Sequence, residues 1–196
     1  DFEAQADSGN VGAQNPSGLT QGKSLWHFDA ISSSSSCFFG FTPTLQANGK
    51  YYQTFYAGFP FRVVSSGLKV YYVSGIFQGR AVIKPYTAGA TIPAETPVLV
   101  ESVSPTAANN KVELLVSAEA APKDNLLRGV FFNYTYGDYV TYKPSSSNTM
   151  HDNRTAYDPS TMRLLRVNSA GELVFAKVAL AETDYEPFIA ANSAYL

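Results

Sequence analysis

An aromatic segment, FFNYTYGDYVTYK, has the residue types and spacing most suggestive of a binding surface. The pair Gly137–Asp138 is typical of a two-residue hairpin turn, because glycine readily adopts the positive φ that a primed turn requires. In that register Tyr136 faces Tyr139, and strand alternation places Tyr134 on the same face. Tyrosine rings on an open face can stack on sugar rings, so these three tyrosines are candidate ligand-binding residues. Packing within the fold is the interpretation that we favour.

Histidines and acidic side chains give no metal-binding pattern. His27 and His151 lie 124 positions apart, and neither belongs to an HxxxH or HExxH spacing. The polar stretch HDNRTAYDPS carries Asp152, Asn153 and Asp158, whose oxygens suit calcium, but the DxDxDG spacing is absent. We therefore expect a solvated turn here, and no metal or cofactor.

Candidate nucleophiles and acids are equally sparse. Cys37 follows five serines and precedes phenylalanines, which favours a small buried side chain over a reactive thiol. No GxSxG, GxxxxGK[ST] or GxGxxG motif occurs, and one cysteine cannot form a CxxC pair. Paired acids of a glycosidase would have to come from glutamates at distant positions, namely Glu95, Glu101, Glu113 and Glu119. We predict no catalytic residues and keep a hydrolase as the third hypothesis.

The elements that position these residues are predicted to be strands. Short runs rich in Val, Tyr, Phe and Thr alternate with Gly, Pro, Asn and Ser clusters, and no window sustains a helical apolar period. Short connections without crossover helices indicate antiparallel pairing. The sequence predicts an all-β fold, a two-sheet, mainly antiparallel β-sandwich. The predicted strands are SLWHFDA, CFFGFT, YYQTFYA, FRVV, LKVYYV, RAVIK, PVLVES, KVELLVS, GVFFNYTY, YVTYK, MRLLRV and ELVFAKV.

Length and composition set the domain plan. The chain has 196 residues, of which 45% are hydrophobic, enough for a sizeable core. Residues 1–23 are rich in Gly, Ser, Gln and Asn and are predicted to be a lead-in or linker, and residues 24–196 a single β-sandwich domain. Because the start, DFEAQADSGN, has no Met, basic region or apolar region, we expect a processed product or an excised piece. A net charge of -2 gives no basic surface for nucleic acid, and no apolar run reaches bilayer length, so neither nucleic-acid binding nor membrane insertion is expected.

A faint internal similarity links two parts of the chain. IPAETPVL and IAANSAYL share an isoleucine, an alanine and a final leucine, and each follows a hairpin-like stretch, GRAVIK or GELVFAK. Three identities in eight positions support a pair of related half-units without establishing it.

Several separated segments resemble a known family, the exported β-sandwich modules of Bacteroidetes-type multidomain surface proteins. These segments are YYQTFYAGFPFRVVSSGLKVYYV, TIPAETPVLVES, DNLLRG, RLLRVNSAGELVFAKV and AANSAYL, which together span roughly residues 50 to 196. Such modules often follow leucine-rich-repeat or Ig-like domains. The resemblance implies a domain of unassigned activity at the cell surface or outside the cell, with no catalytic residues to transfer.

Two functional hypotheses from different classes follow. The first is a non-catalytic module, a spacer, stalk or adhesion domain, whose partners are other domains of the same surface protein or a host surface. The alternative is a glycan-binding module of a nutrient-uptake system that uses exposed rings of Tyr134, Tyr136 and Tyr139. The motivation for the alternative is 13 tyrosines and 13 phenylalanines among many hydroxyl and amide side chains.

Overall fold

A computed structural model describes residues 38–116, 120–130, 135–136, 151–152, 155–179 and 188–196. The predicted lead-in, the first predicted strand with His27, Cys37 and the segment YVTYK lie outside the described residues. Within the described part the fold is all-β, with two main antiparallel sheets of four and five strands and one short 3-10 helix at Ala107–Asn109. The predicted fold class is confirmed.

The five-stranded sheet has the order β2-β3-β8-β5-β6. Its central strands are apolar on both faces, because the sheet is covered on each side, and β8 has four of its five residues buried. Two of its hairpins use a two-residue turn with positive φ at both positions, Asn48–Gly49 and Gln78–Gly79. The strands are β2 (Leu45–Ala47), β3 (Lys50–Phe55), β5 (Leu68–Phe77), β6 (Arg80–Pro85) and β8 (Val98–Ser102).

The four-stranded sheet has the order β1-β9-β4-β7 and packs on one face of the five-stranded sheet. Four phenylalanine rings fill the space between them, with ring centres 4.8 to 6.2 Å apart and mostly edge-to-face. The strands are β1 (Phe38–Gly40), β4 (Phe61–Val63), β7 (Thr91–Ile92) and β9 (Lys111–Leu114). The rings belong to Phe39, Phe41, Phe55 and Phe61.

The opposite face of the five-stranded sheet is covered by later strands of the chain. Leu165 of this later group packs with Leu99 and Tyr71 of the sheet, and the backbone N–H of Ala194 donates to Oγ1 of Thr54 over 3.0 Å. The strands are β10 (Arg128–Val130), β13 (Leu164–Val167), β14 (Leu173–Ala176) and β15 (Ser193–Tyr195). The sandwich therefore carries a further layer of strands. Two more short strands, β11 (Thr135–Tyr136) and β12 (His151–Asp152), pair with each other.

A buried polar network anchors the loop between β8 and β9. Asn110 is fully buried; its amide donates to the carbonyl oxygens of Phe41 and Ser104 over 2.9 and 2.7 Å, and its own side-chain oxygen accepts from the Ser102 hydroxyl. A buried amide costs free energy unless its donors and acceptor are paired, and these are. These hydrogen bonds hold the loop against β8 and the segment after β1, so Asn110 has a structural role.

Candidate functional site

The predicted tyrosine platform is only partly described. Tyr134 and Tyr139 lie outside the described residues, and Tyr136 is described only through its backbone. That backbone pairs with His151 in the short ladder of β11 and β12. The facing of Tyr136 with Tyr139 across Gly137–Asp138, and the exposure of the three rings, stay predictions.

The polar stretch that begins at His151 needs one correction. We predicted a turn throughout, but His151 and Asp152 form β12, and Ala156 forms a bridge with Phe188. Strand pairing prevails because the partner segments satisfy the backbone groups of these residues.

The turn prediction fits at Asp158. Its carboxylate accepts hydrogen bonds from the Ser160 N–H and hydroxyl, at 2.8 and 2.6 Å, and from the Thr161 hydroxyl at 2.8 Å. These bonds hold the pKa of the exposed Asp158 carboxyl below its usual value. The carboxylate oxygens thus serve the turn itself.

Two of the glutamates considered as paired acids, Glu101 and Glu113, form ion pairs with basic side chains. Glu101 accepts from the Lys50 ammonium at 2.5 Å, and Glu113 from the Arg62 guanidinium at 2.5 Å, both across neighbouring strands. Glu95 is exposed in a turn, and Glu119 lies outside the described residues. Glu101 and Glu113 therefore lie in different sheets, each facing a basic side chain of a neighbouring strand.

Glu101 is the centre of one side-chain cluster. Besides the bond from Lys50, Glu101 accepts a hydrogen bond from the Tyr52 hydroxyl over 3.1 Å. Burial, and secondarily the negative charge of Glu101, raises the pKa of Tyr71. Burial, and secondarily the same carboxylate, raises the pKa of Tyr52 to about 12. The hydrogen bond to Glu101 raises the pKa of Lys50. The cluster surrounds the Glu101 carboxylate with the Lys50 ammonium and the Tyr52 hydroxyl at the edge of an apolar layer.

A second cluster lies on the other face of the β5–β6 hairpin and is the stronger candidate site. The rings of Tyr72 and Tyr86 pack edge to face with centres 5.6 Å apart. The Lys84 ammonium lies 5.8 Å from the centre of the Tyr72 ring and 2.7 Å from an oxygen of Asp124. The side chains of Lys84 and Asp124 are each about half exposed. Aromatic surface and an accessible ion pair therefore adjoin.

One polar atom of this cluster, the Tyr86 hydroxyl oxygen, is buried at a cost in free energy. The hydroxyl oxygen of Tyr86 is buried and has no hydrogen-bond partner among the described residues. Burial raises the pKa of Tyr86 to about 12, with smaller contributions from Tyr72 and Asp124. Hydrogen bonding to Lys84 holds the pKa of Asp124 below its usual value. A buried unpaired hydroxyl costs about 1 to 3 kcal/mol, so it is a feature that folding alone does not favour.

Sequence reasoning missed this cluster for a topological reason. Tyr72 and Lys84 become neighbours only through the β5–β6 register, and Asp124 comes from a distant segment. The turn Gln78–Gly79 signals the hairpin, but a β-bulge between Val73 and Gly75 shifts the pairing by one residue, and only that shift places Tyr72 opposite Lys84.

The described residues hold no group of three or more His, Cys, Asp or Glu side chains arranged to bind a metal ion. No helix in the described part of the chain has the length and apolar character needed to cross a membrane. In comparisons with known proteins, no family model, curated protein or solved structure matches this chain.

Proposed function

We propose that this chain is a non-catalytic module of an exported bacterial surface protein, serving as a spacer, stalk or adhesion domain. The observation that supports this most is the use of its charged side chains. Lys50–Glu101, Arg62–Glu113 and Lys84–Asp124 each join different strands or segments, so these ionisable groups are engaged within the fold. The resemblance to exported surface modules supports the location, and other domains of the same protein or a host surface would be the partners.

Surface labelling of intact cells tests the location. In the organism that encodes the chain, an epitope tag on the full-length protein should be detected by antibody without permeabilisation and removed by external protease. A cytoplasmic protein of the same organism serves as the intactness control. Labelling that requires permeabilisation would contradict an exported module.

A second candidate, a glycan-binding module, is favoured by the Tyr72–Tyr86 cluster. A sugar ring has apolar C–H faces that pack on aromatic rings and hydroxyls that pair with charged or amide groups. The Lys84–Asp124 pair carries no net formal charge, which suits a neutral polyhydroxylated ligand. The buried Tyr86 hydroxyl supplies a polar group that lacks an internal partner.

A carbohydrate array tests this candidate, with neutral plant, fungal and bacterial oligosaccharides as probes and calorimetry on any that bind. Binding without turnover would support a glycan-binding module, and release of shorter sugars would favour a hydrolase. No binding to any probe would leave the spacer function. The variants Tyr136→Ala and Tyr139→Ala test the predicted platform separately, because loss of binding in them would place the site on that hairpin.

A further inference from the structure

Two parts of the chain build their strands in the same order. We define the first unit as residues 50–102 and the second unit as residues 128–196. In the first unit the strands lie in the order β3-β8-β5-β6. In the second, β10 pairs with β15, β13 pairs with β14, and Arg163 and Leu196 exchange two backbone hydrogen bonds of 2.7 and 3.0 Å. Those bonds complete the order β10-β15-β13-β14.

The hairpins of the two units share their register away from the turns, whereas nearer the turns a β-bulge between Val73 and Gly75 shifts the first by one residue relative to the second. Gly79 and Gly171 both have positive φ, and counting from them makes Tyr72 equivalent to Leu164 and Val73 equivalent to Leu165. At the positions before this bulge the pairing register follows the same count. The equivalent pairs are Tyr72 with Lys84 and Leu164 with Ala176, then Val73 with Ile83 and Leu165 with Phe175. Tyr71 and Arg163, each eight residues before the glycine, pair with Leu99 and Leu196.

The turns before the last strands also agree. Ile92 and Ile189 are both fully buried, and three residues later Glu95 and Asn192 have φ of 56° and 52°. Positive φ is uncommon outside glycine, so its recurrence at equivalent positions is informative. Each isoleucine also pairs with an earlier segment. Ile92 pairs with Phe61, and the N–H of Ile189 donates to the Thr155 carbonyl over 2.9 Å.

The buried clusters match as well. Tyr86 packs against the core of the first unit, and its equivalent Val178 packs against that of the second. The same holds for three further equivalent pairs: Ala57 with Val130, Val70 with Met162, and Val98 with Tyr195.

The contact between the units is reciprocal. Val73 shares a cluster with Leu196, and their equivalents Leu165 and Leu99 share another. Register makes Tyr56 equivalent to Gly129, and the Tyr56 ring lies directly against Gly129. Equivalent residues touch each other only near a two-fold axis, so the units pack face to face with approximate two-fold symmetry.

The units differ at the candidate site. Tyr72, Lys84 and Tyr86 of the first unit correspond to Leu164, Ala176 and Val178 of the second, where an apolar set fills the same positions. We propose that the two units are diverged copies of one strand unit and that the Tyr72–Lys84–Tyr86 surface, with Asp124, is the carbohydrate-binding surface of the first copy. The ligand part rests on the glycan-binding function proposed above. The second unit packs Leu164 and Val178 at these positions, so apolar side chains suffice for packing there, and the hydroxyl and ammonium groups of the first unit point to an additional role.

The second unit itself supplies the test. The triple variant Tyr72→Leu, Lys84→Ala and Tyr86→Val gives the first unit the residues that the second already uses. We expect cooperative unfolding in urea to be retained, and calorimetric affinity for the oligosaccharide selected on the array to fall about tenfold or more. Lys69→Ala, an exposed lysine on the other face of β5, is the matched control and should bind as the unchanged protein does.

Each outcome has a distinct meaning. Loss of cooperative unfolding in the triple variant would overturn the equivalence of the two units. The variant Tyr86→Phe, which removes one oxygen, would then still test the binding surface, since it should keep the fold and weaken binding. Retained affinity in a folded variant would overturn the assigned surface. Absence of binding by the unchanged protein would overturn the glycan-binding function. The equivalence of the two units would then be tested by the unfolding of the triple variant alone.

Discussion

The two units fill the cores on their outward faces with different side chains. The first is covered by β1 and β9 in addition to β4 and β7, which creates a core of twelve buried residues. Among the described residues of the second unit, the matching cluster buries Val130, Tyr157, Leu164 and Ile189, with Tyr157 as its aromatic ring. One strand arrangement is thus compatible with a phenylalanine-rich core and with a mixed one. The repeated unit supplies eight of the twelve buried residues of the first core, and the added strands with the residue that follows β1 supply the other four.

The largest expected difference concerns the equivalent isoleucines. Ile92→Ala should lower the free energy of unfolding by about 4 kcal/mol, and Ile189→Ala by about 2 to 3 kcal/mol. Both side chains are fully buried, but the aromatic core around Ile92 is more extensive and collapses less readily into a cavity. Urea denaturation with matched m-values measures both, and the milder changes Ile92→Val and Ile189→Val serve as controls. A larger loss at Ile189 would reverse our comparison.

The contact between equivalent residues gives the next largest effect. A Cβ on Gly129 would lie 2.1 to 2.4 Å from ring atoms of Tyr56, so Gly129→Ala should cost about 3 kcal/mol. Removing the ring relieves this overlap, and the double variant with Tyr56→Ala should be more stable than the sum of the two single changes predicts. Urea denaturation of the four proteins measures the coupling. Strict additivity would mean that the two positions do not touch.

The sequence predicted the fold class because strand patterns are local. The strands LKVYYV and RAVIK were predicted from their residue types, and the structure extends the first to Phe77, with a β-bulge between Val73 and Gly75 that the sequence pattern did not predict. β2 was missed because its three residues are too few to alternate, although Asn48–Gly49 is a strong turn signal. The layer of later strands on the second face of the five-stranded sheet was not predicted, because a pattern of apolar residues along a strand does not show which other strand covers each of its faces.

The candidate site and the duplication were predicted less well than the fold. Three identities between Ile92–Leu99 and Ile189–Leu196 are weak as sequence, since the equivalence is carried by register and backbone angle. In the same way Tyr72 and Asp124 have no local relation that a pattern would reveal. The residues that distinguish the units are therefore the ones that sequence similarity is least able to identify.

Alkaline pH should destabilise the first unit, because it contains two tyrosines, Tyr52 and Tyr86, whose pKa values are raised in the folded protein. The pKa values of Tyr52 and Tyr86 are raised to about 12 by burial, while an unfolded tyrosine ionises near 10. The unfolded state therefore loses these protons first. Their contribution to stability is complete below pH 10, falls as pH rises toward 12, and is lost above it.

Urea midpoints from pH 9 to 12 measure this effect. Tyr86→Phe should show a shallower decline than the unchanged protein, and it should be more stable by about 1 kcal/mol at pH 7 because an unpaired buried hydroxyl is removed. Val178→Ala provides a control at the equivalent, non-titrating position, with lower stability and an unchanged slope. An equal decline in Tyr86→Phe would show that this hydroxyl does not set the pH dependence.

The smallest expected effects lie in the equivalent turns, where Glu95 and Asn192 share a positive φ. Asparagine tolerates this region better than glutamate, so Glu95→Asn should stabilise the fold by about 0.5 kcal/mol. Asn192→Glu should destabilise it by about 1 kcal/mol, because the amide also donates to the Tyr56 carbonyl over 3.2 Å. Asn192→Gly retains the backbone angle and loses only that bond, which separates the two causes in thermal unfolding. Destabilisation by Glu95→Asn would mean that the two turns, despite their shared backbone angle, place different demands on the side chain.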